Sequence, residues 1–134
     1  GSQYPDIQLR MFLRGSGKFA NQHVHEKLQI EGKIGMLQHD MLHYSYLNIS
    51  QFLRKFDFYS SFEAGFMLEQ NVQVNALNHL RYFLLRPLSR FLRRYFLKGG
   101  FRDGIPGFFC AFFDAANIIV RYFKLWELKR QQKN

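Results

Sequence analysis

Apolar and polar residues recur along this chain with two different periods, and the period changes about a third of the way along. Residues 7–13 begin with the period-two alternation of a strand and stop at a turn-forming run, 14–17. Residues 24–30 predict a second strand. A tight turn at 31–33 leads into a predicted third strand over residues 34–46. The pattern therefore predicts two or three short strands in the first third of the chain.

After this region the apolar residues follow helical spacing. Asn48 or Ser50 can cap a helix over residues 50–70. A second helical stretch begins near residue 74, and Pro87 is expected to break or restart it.

The double glycine Gly99-Gly100 is a natural C-terminal stop for that stretch. Residues 101–107 are rich in Gly and Pro and predict an ordered loop, followed by a final helix over residues 106–130. The apolar run 105–120 within this helix is shorter than the ~20 residues that a bilayer span needs, which predicts no transmembrane helix. The fold class is therefore predicted as α+β, with two or three short strands followed by three or four amphipathic helices.

The composition supports a folded chain with no internal disulfide. Its 134 residues are 47% apolar and 18% aromatic, which is enough for a core. Cys110 is the only cysteine and stands in an apolar run, so it is predicted to be a buried small hydrophobe. Gly1-Ser2 resembles a cloning remnant, and the chain is interpreted as a fragment.

The charge is concentrated as well as strongly positive. The formal net charge is +9, which favours nucleic acid, phospholipid headgroups or phosphorylated substrates as partners. No acidic residue lies between Glu69 and Asp103. Seven cations lie there: Arg81, Arg86, Arg90, Arg93, Arg94, Lys98 and Arg102.

Aromatic and leucine residues are interleaved with these cations, as in a helix that lies on an anionic membrane surface. The alternative is that the aromatics pack within the protein and the arginines are simply solvated. Nucleic-acid binding ranks last, because no recognisable RNA- or DNA-binding motif accompanies the basic residues.

Four stretches, in order, carry a resemblance to a known family. They are the arginine-containing text PDIQLRMFLRGSGKF, the VHE at 24–26, the histidine-containing text at 41–46 with the helix that follows, and RYFLKGGFRDGIPGF. Together they resemble the C-terminal half of bacterial family 2 glycosyltransferases of GT-A type, which act in lipopolysaccharide-core and cell-surface glycan assembly. The resemblance covers most of residues 5–128. It implies that 3–47 supply acceptor-side strands of a GT-A catalytic domain and that 48–134 form a helical, membrane-surface-associated region.

The same resemblance implies parts that this chain does not contain. These are an N-terminal Rossmann-like half with the nucleotide-sugar pocket and its Asp-x-Asp metal motif, and no Asp-x-Asp occurs here. We expect a divalent metal, Mn²⁺ or Mg²⁺, in the complete enzyme, and none bound by this fragment alone, which is expected to be inactive. The implied partners are a nucleotide-sugar donor, a glycan or lipid-linked acceptor and an anionic membrane surface. The implied location is the cytoplasmic face of the bacterial inner membrane, as a peripheral protein.

The resemblance also implies catalytic residues. Glu26 matches the carboxylate that acts as the acceptor-side base, since inverting transfer needs a group that takes a proton from the attacking hydroxyl. His25 could orient Glu26 or contact a phosphate, although adjacent strand residues point to opposite faces. His43 is the candidate for the metal and diphosphate side of the site. The alternatives are a solvated strand-end charge for Glu26 and a half-buried, satisfied histidine for His43.

Five further residues are candidates for substrate binding. Arg10 and Arg14 could fork onto a phosphate or a carboxylate, or could be surface salt-bridge partners. Lys55 and Tyr59 lie four residues apart and so share a helix face, where packing is the alternative role. Asp103 could position a loop at the acceptor entrance, or could belong to a purely structural turn. The competing function for the whole chain is a non-catalytic, basic amphipathic membrane-binding module.

Overall fold

A computed structural model of the chain describes residues 9, 11–19, 28–30, 32–37, 39 and 46–132. These residues form two compact units, divided between residues 45 and 46. The predicted α+β class is confirmed, with a two-stranded antiparallel sheet in the first unit and three helical stretches in the second.

The first unit contains a short β-hairpin. Strand β1, Gly17–Phe19, pairs antiparallel with β2, Leu28–Ile30, and Lys18 lies opposite Gln29. A turn precedes β1, in which the Ser16 backbone N–H and hydroxyl both donate to the Leu13 carbonyl, at 3.0 and 2.7 Å. Gly15 in this turn has a φ of 88°, a conformation that glycine adopts without steric cost.

Two strand predictions are wrong for the residues that the structure describes here. Residues 9 and 11–13 are not in a strand, and pairing begins after the turn, at Gly17. Residues 34–37 and 39 are likewise outside regular structure. Alternation along a sequence reports which side chains would face a sheet, but it does not report whether a neighbouring strand is present to pair with.

The second unit begins with helix α1, Ile49–Glu69, at nearly the predicted bounds. Asn48 is its N-cap, and its side-chain oxygen accepts from the Gln51 backbone N–H at 2.8 Å. This bond satisfies one of the amide groups that the first turn of a helix leaves unpaired.

The second helical stretch, α2, runs through residues 76–97. It consists of the α-helical segments Ala76–Leu80 and Arg86–Leu92, each followed by a π-helical turn, Arg81–Leu85 and Arg93–Leu97. Pro87 does not break this stretch but restarts it, which was the other outcome predicted for it. Pro87 lies in the first turn of Arg86–Leu92, directly after the wider π turn, where a residue without an N–H is tolerated.

A left-handed glycine ends α2, as predicted. Gly99 has a φ of 70°, and its N–H donates to the Phe96 carbonyl at 3.1 Å. The predicted loop over 101–107 is largely wrong, because a 3-10 turn, Gly100–Asp103, leads directly into helix α3, Gly104–Gln131. A Cβ on Gly107 would overlap the Gly100 carbonyl, so the two backbones pack in direct contact.

Helix α3 packs against both α1 and α2 and provides the centre of the core. The buried residues that form this core come from all three helices: Ala64, Met67, Tyr82, Ile118, Tyr122 and Leu125. The Tyr82 and Tyr122 rings stack with centroids 4.6 Å apart and an interplanar angle of 4°. Towards the start of α3, aromatic rings continue the packing on both sides, since Phe113 contacts Phe52 and Phe108 contacts Tyr95.

The structure bears on two predictions about α3, and the absence of a transmembrane helix stays a prediction. The helix, with its preceding turn, is long and apolar enough to cross a membrane by length and composition, and 22% of its most apolar 18-residue stretch is buried. The sequence prediction counted only the uninterrupted apolar run. Cys110 is exposed and not buried, which contradicts the prediction.

Candidate functional site

Four of the predicted site residues lie outside the residues that the structure describes. They are Glu26, His25, Arg10 and His43. Their assigned roles therefore stay predictions from the resemblance.

Arg14 is the one predicted site residue described in the strand unit. It lies exposed in the turn that precedes β1. A guanidinium in this position can reach a solvent-borne phosphate or carboxylate, which is compatible with its predicted role.

Lys55 and Tyr59 lie one turn apart on α1, as predicted from their spacing. The Lys55 Nζ is 5.2 Å from the centroid of the Tyr46 ring, a cation–π geometry. Tyr59 is 41% exposed, and its ring meets the Phe58 ring edge-on at 5.5 Å. Both side chains therefore have packing contacts, and Tyr59 is also open to a ligand.

Asp103 lies exposed at the N-cap position of α3, and its side chain makes no capping hydrogen bond. Negative charge is favourable at the N-terminus of a helix. The structural turn that was the alternative for this residue is present, as the 3-10 turn Gly100–Asp103.

A polar stripe that was not predicted runs along α3. Its members recur at spacings of three and four, and they are Asp114, Asn117, Arg121 and Lys124. That spacing places them on one helix face, and it is a signal that could have identified the stripe.

Every member of this polar stripe contacts another helix. Asp114 accepts from the Arg94 Nη1 of α2 at 2.8 Å. Glu63 of α1 accepts from the Arg121 Nη1 at 2.7 Å and from the Asn117 amide at 3.2 Å.

Lys124 binds the adjacent turn of α1. Its Nζ donates to the Asp57 carboxylate at 2.6 Å and to the Ser60 and Ser61 hydroxyls at 2.9 and 2.7 Å. The polar stripe therefore joins the three helices to one another. The two α1 carboxylates that it contacts, Glu63 and Asp57, form ion pairs with its cations.

Four buried side-chain atoms among the described residues of the same region stay unsatisfied, and two of them belong to neighbouring residues of α3. The Arg121 Nε and the Tyr122 hydroxyl have no hydrogen-bond partner. Burial raises the pKa of the Tyr122 phenol above its ordinary value. An unpaired buried polar group lowers the stability of the fold. Substitution of Arg121 or Tyr122 should therefore change the free energy of unfolding measurably.

Within the described ranges we find no cluster of side chains that could hold a metal ion. No three His, Cys, Asp or Glu side chains come together there. A cavity of about 540 Å³ lies along residues 120–131 of α3, with Trp126, Glu127 and Arg130 among its lining, but one helix alone forms it.

Comparison with known proteins shows a similarity to a glycosyltransferase. It is 31% identical over 123 residues, 85% of this chain, to the lipopolysaccharide core biosynthesis glycosyltransferase LpsC of Rhizobium meliloti (strain 1021). The chain is glycosyltransferase-like. It spans 44% of the length of that relative. No family model matches the chain, and no solved structure matches it.

Proposed function

We propose that this chain is the C-terminal, acceptor-side part of a family 2 glycosyltransferase of GT-A type. The full-length protein, which we call the parent, would move a sugar from a nucleotide-sugar donor to a lipid-linked or oligosaccharide acceptor in lipopolysaccharide or surface-glycan synthesis. The observation that carries the proposal is the similarity over 85% of this chain to a lipopolysaccharide core biosynthesis glycosyltransferase. The order of the motif-bearing stretches along residues 5–128 supports the finer assignment.

Glu26 is the proposed catalytic base. Its carboxylate takes the proton from the acceptor hydroxyl as that oxygen forms a bond to the anomeric carbon, and the bond from that carbon to the nucleotide diphosphate breaks. His25 would orient Glu26 or contact a phosphate, and His43 would lie at the diphosphate side, where an imidazolium can stabilise the departing negative charge.

The remaining predicted residues would bind substrate. Arg10 and Arg14 are proposed to contact phosphate or carboxylate groups, and Lys55, Tyr59 and Asp103 to line the acceptor side. The described residues do not form a metal site. Any Mn²⁺ or Mg²⁺ of the complete enzyme would therefore need ligands beyond them, and no step above depends on it.

The test is Glu26→Gln in the full-length parent enzyme. The amide cannot take up the proton, so sugar transfer should fall by about a hundredfold or more, since positioned acid–base groups contribute on that order. Donor binding, measured by calorimetry with the intact nucleotide sugar, should be largely unchanged. Near-normal turnover in the variant would contradict the assignment.

The matched control is Glu69→Gln. Glu69 is an exposed carboxylate at the end of α1, and it has no predicted role in the reaction. The substitution removes the same charge, so its transfer rate should stay close to that of the unaltered enzyme.

A further inference from the structure

The outward side of α2 is apolar along its whole length. Five large apolar residues recur at a spacing of four, and each is 43–55% exposed. We name this set the leucine face: Leu80, Leu84, Leu88, Leu92 and Phe96.

The two π turns explain how this spacing stays on one side. In an α-helix, residues four apart advance about 40° beyond a full turn, so a stripe with this spacing would wind around the helix. A π turn is wider, with bonds from residue i to i+5, and it offsets part of that drift. The turns Arg81–Leu85 and Arg93–Leu97 therefore keep the leucine face directed outward.

The opposite side of α2 already forms the packing contacts of this helix. Tyr82 is buried against Tyr122, and Phe91 and Tyr95 contact the Phe108 ring of α3. The leucine face is therefore a second apolar surface of the same helix, and the aromatic residues form the first.

Cations without carboxylate partners flank the leucine face. Asp114 pairs with Arg90 and Arg94, but Arg81 and Arg93 have no carboxylate within ion-pair distance among the described residues. The sequence supplies no acid between Glu69 and Asp103. The surface around the leucine face therefore combines apolar side chains with uncompensated positive charge.

We propose that the leucine face lies on the surface of an anionic phospholipid bilayer, with Arg81 and Arg93 on the headgroup phosphates. A helix with an apolar side and flanking arginines partitions into the headgroup and acyl boundary, and each nearby cation adds attraction to anionic lipid. Lipid contact at the leucine face is separate from sugar transfer and can be tested without any enzymatic activity.

Helix α3 is the competing membrane element, since its length and composition also fit a span. Spanning would place Asp114, Arg121 and Lys124 in hydrocarbon and remove them from their partners on α1 and α2. The paired stripe makes α3 the central packing helix of the unit, and it favours α2 as the surface that meets lipid.

The experiment is co-sedimentation of the 134-residue chain with vesicles of phosphatidylcholine alone and of phosphatidylcholine with about 30 mol% phosphatidylglycerol. Binding should require the anionic lipid and should fall at least about fivefold as salt rises from about 50 to about 500 mM. Failure to bind anionic vesicles would overturn the proposal.

Two double variants separate the apolar contribution to vesicle binding from the electrostatic one. Leu84→Gln/Leu88→Gln should lower partitioning about tenfold or more through lost apolar contact. Arg81→Gln/Arg93→Gln should lower it about tenfold or more at low salt, and less at high salt. All four side chains are exposed, so circular dichroism and the melting temperature should stay near those of the unaltered chain.

Matched controls change the same residue types away from α2. Leu47→Gln/Leu53→Gln alters exposed leucines before and within α1, and Arg54→Gln/Arg130→Gln removes two exposed arginines. Each control should bind more tightly than its α2 counterpart. Equal losses in a control and its counterpart would overturn the assignment to the leucine face.

Three other outcomes would show that the leucine face does not bind lipid in the complete protein, and each would overturn the proposal. A dimer that Leu84→Gln/Leu88→Gln dissociates, with vesicle binding unchanged, would identify a second copy as the occupant. Vesicle binding by this chain that disappears in the full-length parent would indicate that another part of the parent covers the face. Binding that resists high salt and depends only on α3 would assign membrane contact to that helix.

Discussion

The helical unit and the strand unit bury their apolar side chains to very different extents. In the helical unit Tyr122 and Leu125 are fully buried in a core shared by three helices. In the strand unit Leu13 is 81% exposed and Met36 is 77% exposed. The described residues of the strand unit therefore have no comparable core.

This difference bears on where the proposed chemistry lies. A two-stranded hairpin is marginal in water unless further strands or a helix cover it. We expect the strand unit, whose sequence carries Glu26, to complete its packing in the full-length parent. We expect the helical unit, with its shared three-helix core, to fold on its own.

The largest contrast is expected for truncation of the central tyrosine. Tyr122→Ala removes a buried ring stacked on Tyr82 and should lower the free energy of unfolding by about 3–5 kcal/mol. Leu13→Ala in the strand unit should change it by less than about 0.5 kcal/mol. Urea denaturation followed by circular dichroism measures both, and similar losses for the two variants would refute the contrast.

Loss of an ion pair between helices should have the next largest effect on stability. Glu63→Ala leaves Arg121 and Asn117 without their shared acceptor and should lower the free energy of unfolding by about 1.5–3 kcal/mol. The control is Glu69→Ala, an exposed carboxylate on the same helix that should have little effect. If the two variants melt at the same temperature, the stripe does not stabilise the unit.

Close backbone packing gives a somewhat smaller effect. Gly107→Ala places a methyl group against the Gly100 carbonyl and should lower the free energy of unfolding by about 1–3 kcal/mol. Gly65→Ala, at an open position within α1, should instead raise it by about 0.5–1 kcal/mol, because alanine favours the helix. Changes of the same sign in the two variants would contradict this reading of the Gly100 contact.

The smallest effect is a pH dependence at alkaline pH. The Tyr122 phenol has a raised pKa in the folded chain, so the unfolded chain loses this proton first, at a pH of about 10. The stability that the buried, neutral phenol contributes is fully present below that pH. It is lost as the pH rises towards the pKa of the phenol in the folded chain. Tyr122→Phe should lessen the loss of stability above pH about 10, by at most about 1.4 kcal/mol per pH unit. Identical pH profiles for the two chains would exclude this role.

Local signals predicted the helical unit well. Asn48 and Gly99 mark helix ends through their own chemistry, a side-chain cap and a left-handed φ, and neither depends on distant partners. Pro87 restarts α2 as predicted, but the π turns before and after that segment were not predicted, because they depend on the packing of the whole helix. The alternation in residues 7–13 was misleading because a strand also needs a neighbour.

The orientation of α2 could not be read from its sequence. Leucines and aromatics surround this helix, and composition does not say which side meets α3. Only the packed structure places Tyr82 inside and leaves Leu84 outside. The candidate catalytic residues were accessible from resemblance alone, since a single Glu or His carries no spacing signal.

Hydrogen exchange followed by mass spectrometry on the 134-residue chain tests the contrast between the two units most directly. Amides of α1 and α3, residues 49–69 and 104–131, should exchange at least about a hundredfold more slowly than those of 11–19 and 32–37. That result would establish an independent core in the helical unit. Equal protection of the two sets would contradict the account.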